Sequence, residues 1–227
     1  MARRHQLSDC LRVLLAGALV LLSGCQTAQV PQEPAIPTIS VREEPGWRRA
    51  ALPGDVDRID GIEGAWEEAL SAAEAAGHRR TMSSEGPLLD PGAALPMPAP
   101  TPGAYTCRLL RFAEPRRRGP VLTVYRPFFC NVGVDGDALT LIKQTGSERP
   151  AGHLWVDERP ERLIFIGTLS RGEHEDPLPY GEDPERDMVA VLERVDAFRF
   201  RLVVPWPRTG AIVEVYELTP SPVQYQD

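Results

Sequence analysis

The sequence lacks a membrane-spanning run. Its apolar stretch from Val13 to Leu22 is about ten residues long, and a helical span takes roughly 20. It lacks a cationic excess as well, with 25 Lys plus Arg against 32 Asp plus Glu and a formal net charge of −7. Such a balance repels phosphate backbones and argues against nucleic acid as a partner. Only 4 cysteines occur and none is in CxxC spacing, which leaves zinc without a ligand set. No GxSxG elbow marks a nucleophile, and no acidic stretch has EF-hand spacing. No metal, cofactor or catalytic group is therefore expected. The 42% hydrophobic content is ample for a packed core.

What the amino terminus has is an address. Arg3, Arg4 and Arg12 precede the apolar run and small residues follow it, the order of a secretory signal peptide. Leu22-Ser23-Gly24-Cys25 resembles the bacterial lipobox, which implies cleavage before Cys25 and lipid on its thiol. Several acyl chains together anchor a protein stably. Gln26 after the cysteine, rather than Asp, resembles the sorting pattern for the Gram-negative outer membrane, facing the periplasm. Cys10 leaves with the signal and Cys25 is taken by lipid, so Cys107 and Cys130 remain. In an oxidising compartment that pair forms a disulfide, with a loop-entropy contribution of roughly 3 kcal/mol.

The organisation that follows is a signal peptide over 1–24 and a lipidated, Pro-rich tether over 25–46. A helix and Pro-rich connector occupy 47–103, an antiparallel β domain 104–220, and a tail 221–227. Ile59, Ile62, Trp66, Leu70 and Ala73 recur at helical spacing between Asp55 and Ala76, with a bend allowed at Gly61 and Gly64 and a cap at Gly77. "GPLLDPGAALPMPAPTPG" is too rich in proline for helix or central strand, so it is expected to wrap the domain as a connector. After Tyr105 come short apolar runs: 105–112, 121–132, 139–145, 153–156, 163–169, 188–195, 198–204 and 212–218. Asp135-Gly136 and Asp196-Ala197 mark hairpins. Phe198, Phe200, Leu202 and Val204 alternate with Arg199 and Arg201, one face buried and one wet. Nothing helical separates these runs. The fold expected is mainly β with an N-terminal helix, an antiparallel sheet of about eight strands in a small barrel or a sandwich. The disulfide would staple its first two strands across the loop "EPRRRGP".

"GWRRA", "EGPLLDPGAALPMPAPTPGAYTCRLL", "KQTGSERPAGHLW", "FIGTL", "YGEDPERDMVAVLERV" and "FRFRLVVPWP" resemble a family of Gram-negative bacterial lipoproteins defined by a domain of unknown function. The resemblance runs from Trp47 to Leu218 and implies a secreted, lipidated, β-rich domain with a cysteine pair. It carries no activity. A weaker likeness, in size and strand order, is to lipocalin-like barrels and small periplasmic protease inhibitors.

Candidate chemistry is sparse. "RGEHEDPLPYGEDPERD" crowds Glu173, His174, Glu175, Asp176, Glu182, Asp183, Glu185 and Asp187 into one connector, which reads as a solvated acidic loop because its prolines break it into turns. Tyr180, Arg186 and Asp187 could line a pocket, although Arg186 and Asp187 are expected to pair locally. His153 has Ser147 as its one nearby nucleophile and reads as structural. His78, just past the helix cap, complements the helix dipole. Arg116, Arg117 and Arg118 form a basic loop that could meet phosphate groups of lipopolysaccharide or an acidic partner, although a short basic hairpin tip is normally soluble surface. The leading expectation is a non-enzymatic envelope lipoprotein that binds a partner protein, an envelope component or a small apolar ligand. A periplasmic protease inhibitor or lipocalin-like carrier is the alternative, and a hydrolase with a site assembled from distant residues the third.

Overall fold

The computed structural model describes residues 46–116, 118–172 and 175–222. The signal, Cys25 and the tether up to residue 45 lie outside the described residues, as do Arg117, Glu173, His174 and 223–227. Period-two alternation after Gly103 becomes nine strands: β1 (Gly103–Ala113), β2 (Leu122–Val124), β3 (Phe128–Asp135), β4 (Ala138–Lys143), β5 (Arg149–Val156), β6 (Arg162–Ser170), β7 (Asp187–Asp196), β8 (Arg199–Pro205) and β9 (Ala211–Pro220). All pairings are antiparallel: β3 to β9 each pair with the next strand in the chain, β1 pairs with β2 and β3, and β1 also pairs with β9 from Tyr105↔Pro220 to Ala113↔Ala211. That pairing closes β1 and β3–β9 into an eight-stranded barrel, which decides between barrel and sandwich. Both expected hairpins form, with Asp135↔Ala138 and Asp196↔Arg199 flanking their turns. Gly136 takes the positive φ of +58° that the first turn requires.

The run 121–132 is two strands rather than one. Tyr125-Arg126-Pro127 interrupts it, because proline has no N–H for the ladder. Accordingly β2 pairs with Leu110–Phe112 of β1, and β3 with Gly103–Cys107. The disulfide joins Cys107 of β1 to Cys130 of β3, Cα atoms 6.0 Å apart, with β2 between them in the chain.

Alternate residues fill the barrel. Tyr105, Leu109, Phe165, Leu192, Phe200, Leu202, Tyr216 and Leu218 point inward and are buried. Gly152 and Gly167 face each other across β5 and β6; a Cβ on either would meet the tip of the Phe165 ring at 2.8 Å. Their lack of side chains gives that ring its place.

Outward residues of β1 and β6–β9, including Leu110, Phe112, Ile164, Val191, Val203 and Val215, form a second core with the helices. The helix expected over 55–76 is α2 (Pro53–Asp60) and α3 (Ile62–Ala75), broken at Gly61, where the Trp206 ring lies 3.0 Å from the position of a Cβ. Trp66 of α3 meets Phe112 edge-on at 6.4 Å between centroids. "GWRRA" is itself a short helix, α1 (Gly46–Ala50), whose buried Trp47 donates to Asp157 Oδ1 at 2.7 Å. A further helix absent from the sequence reading, α4 (Arg79–Glu85), runs into a 3₁₀ turn over Gly86–Leu89.

The connector wraps the barrel as expected, but its anchor corrects the picture of a wet strand face. Arg201 is 0% exposed. Its guanidinium donates to the carbonyls of Pro87, Leu88, Asp90 and Pro91 at 2.6–3.2 Å, and its Nε to Glu193 Oε2 at 2.7 Å. The Trp66 ring covers it, 5.3 Å away. Arg199 is half-buried and pairs with Glu217 at 2.5 Å, while Phe198, in the hairpin turn, is 75% exposed. The periodicity placed the arginines correctly on the outer wall; it could not show that the connector covers that wall.

Candidate functional site

At the end of the barrel where β1 finishes and β5 begins, the interior turns polar. Arg111 on β1 stands opposite Glu214 on β9. Its Nε donates to Glu214 Oε1 at 2.7 Å and its Nη2 to Glu148 Oε2 at 2.8 Å. Thr209 Oγ1 donates to Glu214 Oε1 at 2.8 Å, and the Tyr216 hydroxyl to Oε2 at 3.4 Å. Burial raises the Glu214 carboxyl above its ordinary value, opposed by Arg111. Burial also raises Tyr216 well above the usual phenol range, with the Glu214 charge adding to it.

Outside this network opens a recess of about 420 Å³ at the barrel mouth. Leu109, Phe128 and Tyr125 line it with apolar surface, and Arg126, Lys143, Ser147 and Glu148 with polar groups. Phe128 meets Tyr216 edge-on at 6.2 Å, so the recess rests on the interior packing. Lys143, the chain's single lysine, lies opposite Cys130 in register. Its ammonium sits 4.3 Å from the Phe128 ring centroid and donates to the Glu148 carbonyl at 2.7 Å. Desolvation lowers its pKa, opposed by Glu148 and Glu214. Arg126, in the break between β2 and β3, is exposed and has no hydrogen-bond or ion-pair partner among the described residues. Arg116 and Arg118, singled out from sequence, lie exposed in the β1–β2 loop at the same barrel end; Arg117 is outside the described residues. Arg126 and Lys143 were not singled out. The available signals were that Lys143 has no other lysine for company and that "YRP" interrupts a strand.

His153 is on the outer wall and half-exposed, its Nε2 3.1 Å from Asp135 Oδ2. It lines a groove of about 500 Å³ with Thr140, Ile142 and Leu178. Ser147 lines the mouth recess instead, so these two residues do not share a recess.

The acidic connector is tied to arginines and backbone. Glu175 pairs with Arg186 and accepts the amides of Arg171 and Gly172 at 2.8 and 3.1 Å. Arg186 also pairs with Asp183 at 3.0 Å. The expected Arg186–Asp187 pair does not form. Asp187 is 2% exposed, accepts the Gly181 amide at 2.9 Å through Oδ1, and has no partner for Oδ2. Burial raises its pKa. Arg186 and Asp187 do line one recess, but a small one of about 20 Å³. Tyr180 lies in the outer groove and donates to Asp55 Oδ2 at 2.5 Å. Among the described residues, no three or more His, Cys, Asp or Glu side chains are grouped so as to hold a metal ion.

No curated protein sequence and no solved structure matches the chain. The family defined by a domain of unknown function, DUF4893, matches residues 47–218. Those bounds take in α2–α4 and all of β1–β8, and end at Leu218 within the closing strand, so the chain belongs to the DUF4893 family.

Proposed function

We propose that the chain is a lipid-anchored envelope module without catalytic activity, held at the outer membrane through Cys25 and presenting its barrel to the periplasm on the Pro-rich tether. The observation that carries a binding role is where space lies in the barrel. The interior is packed with side chains such as Phe165, Leu202 and Tyr216, and two recesses large enough for a ligand, about 420 and 500 Å³, lie at the mouth and on the outer wall. Ligand sites commonly span about 300–1,000 Å³. A filled barrel weighs against the lipocalin-like carrier, which needs an internal cavity. The separate placement of Ser147 and His153 weighs against a hydrolase built from that pair.

The test uses the membrane form. Intact mass should give a chain that begins at Cys25 and carries acyl groups, and Cys25→Ala should release the protein from membranes. Photo-crosslinking from Ile142 and Arg126 in native envelope should then trap discrete partners. A Cys25→Ala chain that stays membrane-bound would overturn the anchor. Crosslinks to nothing at either position, or turnover of an ester or peptide panel, would overturn the binding reading.

A further inference from the structure

We propose that the barrel mouth binds a small monoanion with an apolar body, a medium-chain or aryl carboxylate, whose head is held between Arg126 and Lys143. The proposal deepens the binding-module reading and rests on it.

Three observations point to this ligand. The first is unused donors. A lysine ammonium has three N–H groups, and one of those on Lys143 goes to the Glu148 carbonyl. Arg126 has its whole guanidinium fork free of partners among the described residues, and it lines the same recess. A carboxylate accepts from such a fork in bidentate fashion. The second is shape and surface. Leu109, Phe128 and Tyr125 give the recess an apolar lining, and about 420 Å³ suits a chain or ring of drug-like size.

The third is charge. The whole chain carries −7, yet Arg111, Arg126 and Lys143 gather at this end against Glu148 and Glu214. Both carboxylates are engaged by Arg111, so Arg126 and Lys143 are left in excess. The balance at the mouth is therefore positive on a negative molecule. It is positive by little, and the Glu148 carboxylate remains in the recess wall. A dianion would meet that carboxylate, whereas a single negative charge meets two cations.

Growth on ¹³Cε-labelled lysine marks this chain at Lys143 alone and leaves its ammonium N–H groups intact. In the purified full chain, the Lys143 ¹³Cε signal is titrated with decanoate, 3-phenylpropanoate, decanol and inorganic phosphate. Saturable shifts are expected with a carboxylate, decanoate marking an acyl ligand and 3-phenylpropanoate an aryl one. Decanol and phosphate should bind at least about tenfold more weakly, and Arg126→Gln should weaken carboxylate binding at least about tenfold. No shift with either carboxylate at millimolar concentration would overturn the proposal. So would equal affinity for decanol, or wild-type affinity in Arg126→Gln. Any of these would leave the anchor and the partner crosslinks to stand or fall on their own test.

Discussion

Arg201 and Arg126 are the same side chain used in opposite ways. On the covered wall, Arg201 is sealed beneath the connector and every part of its fork has a partner: four carbonyls, one carboxylate and the face of Trp66. At the mouth, Arg126 is exposed with no partner among the described residues, and Lys143 beside it spends one N–H. A buried cation with saturated donors holds a fold together, because removing it strands the groups that faced it. A cation with spare donors at a recess is available to something that arrives. The difference lies in partners, which composition and periodicity do not report.

Removing Arg201 is the severest way to test that contrast. Arg201→Leu should cost on the order of 3–5 kcal/mol in urea unfolding, since it leaves four connector carbonyls and Glu193 buried without their donor. Arg201→Lys should recover little of this, because a point ammonium cannot span that set. A cost below about 1 kcal/mol would show that the connector is held by apolar packing, and the contrast would fail.

Next in size is the disulfide, which sits directly across from Lys143. Cys107→Ser with Cys130→Ser should lower stability by about 3 kcal/mol, and the Lys143 ¹³Cε signal should broaden as the mouth loosens. A sharp signal in the reduced protein would mean that the barrel holds the mouth without its staple.

A smaller effect, with the opposite sign, comes from Asp187. Its folded pKa lies above the ordinary 3.8 because it is buried, so ionising it opposes folding. Its contribution is fully present below its unfolded pKa and is lost as pH rises through the folded value. Asp187→Asn keeps the Gly181 bond and removes the charge, and should raise the neutral-pH melting temperature by a few degrees. The advantage should vanish toward about pH 4. A variant that is less stable at neutral pH would mean that Arg208 compensates the charge.

The smallest stability change belongs to the mouth. Lys143→Met should shift unfolding by less than about 0.5 kcal/mol, because the methionine retains the packing on Phe128 and removes a cation that burial disfavours. A large loss would place Lys143 with Arg201 among the structural cations.

Much of the wall was legible in the sequence because strand alternation is a local property. The runs near 139–145, 163–169, 188–195 and 212–218 each became one strand, and the Asp135-Gly136 and Asp196-Ala197 turns sit where they were read. The closure of β1 on β9 was not legible, since a meander reads the same whether it rolls up or stays open. Helix α4 was missed because "RRTMSSE" carries little apolar periodicity. Arg201 was read as wet because the segment that buries it lies 110 residues or more away in the chain. The mouth was missed for a related reason. Arg111, Arg126, Lys143 and Glu148 come from β1, a strand break, β4 and a hairpin, and no spacing rule links them. The basic loop at Arg116–Arg118 stands out in the sequence as a run, and Arg116 and Arg118 lie exposed.

The single pairing of β1 with β9 also sets an order of events for the chain. From β3 to β9 each ladder joins neighbours in sequence, so hairpins can zip along that run, with short loops to close at every step except the 171–186 connector between β6 and β7. The β1–β9 seam must bring together residues about a hundred or more apart, Arg108 beside Glu217 for example. It carries the largest entropic cost and comes late. Before it forms, β1 is a free edge strand with Cys107 on it, and linking Cys107 to Cys130 would fix that edge beside β3. Oxidation ahead of closure therefore guides the barrel to its register, and hydrogen exchange in the reduced chain should show the amides of β9 opening before those of β6.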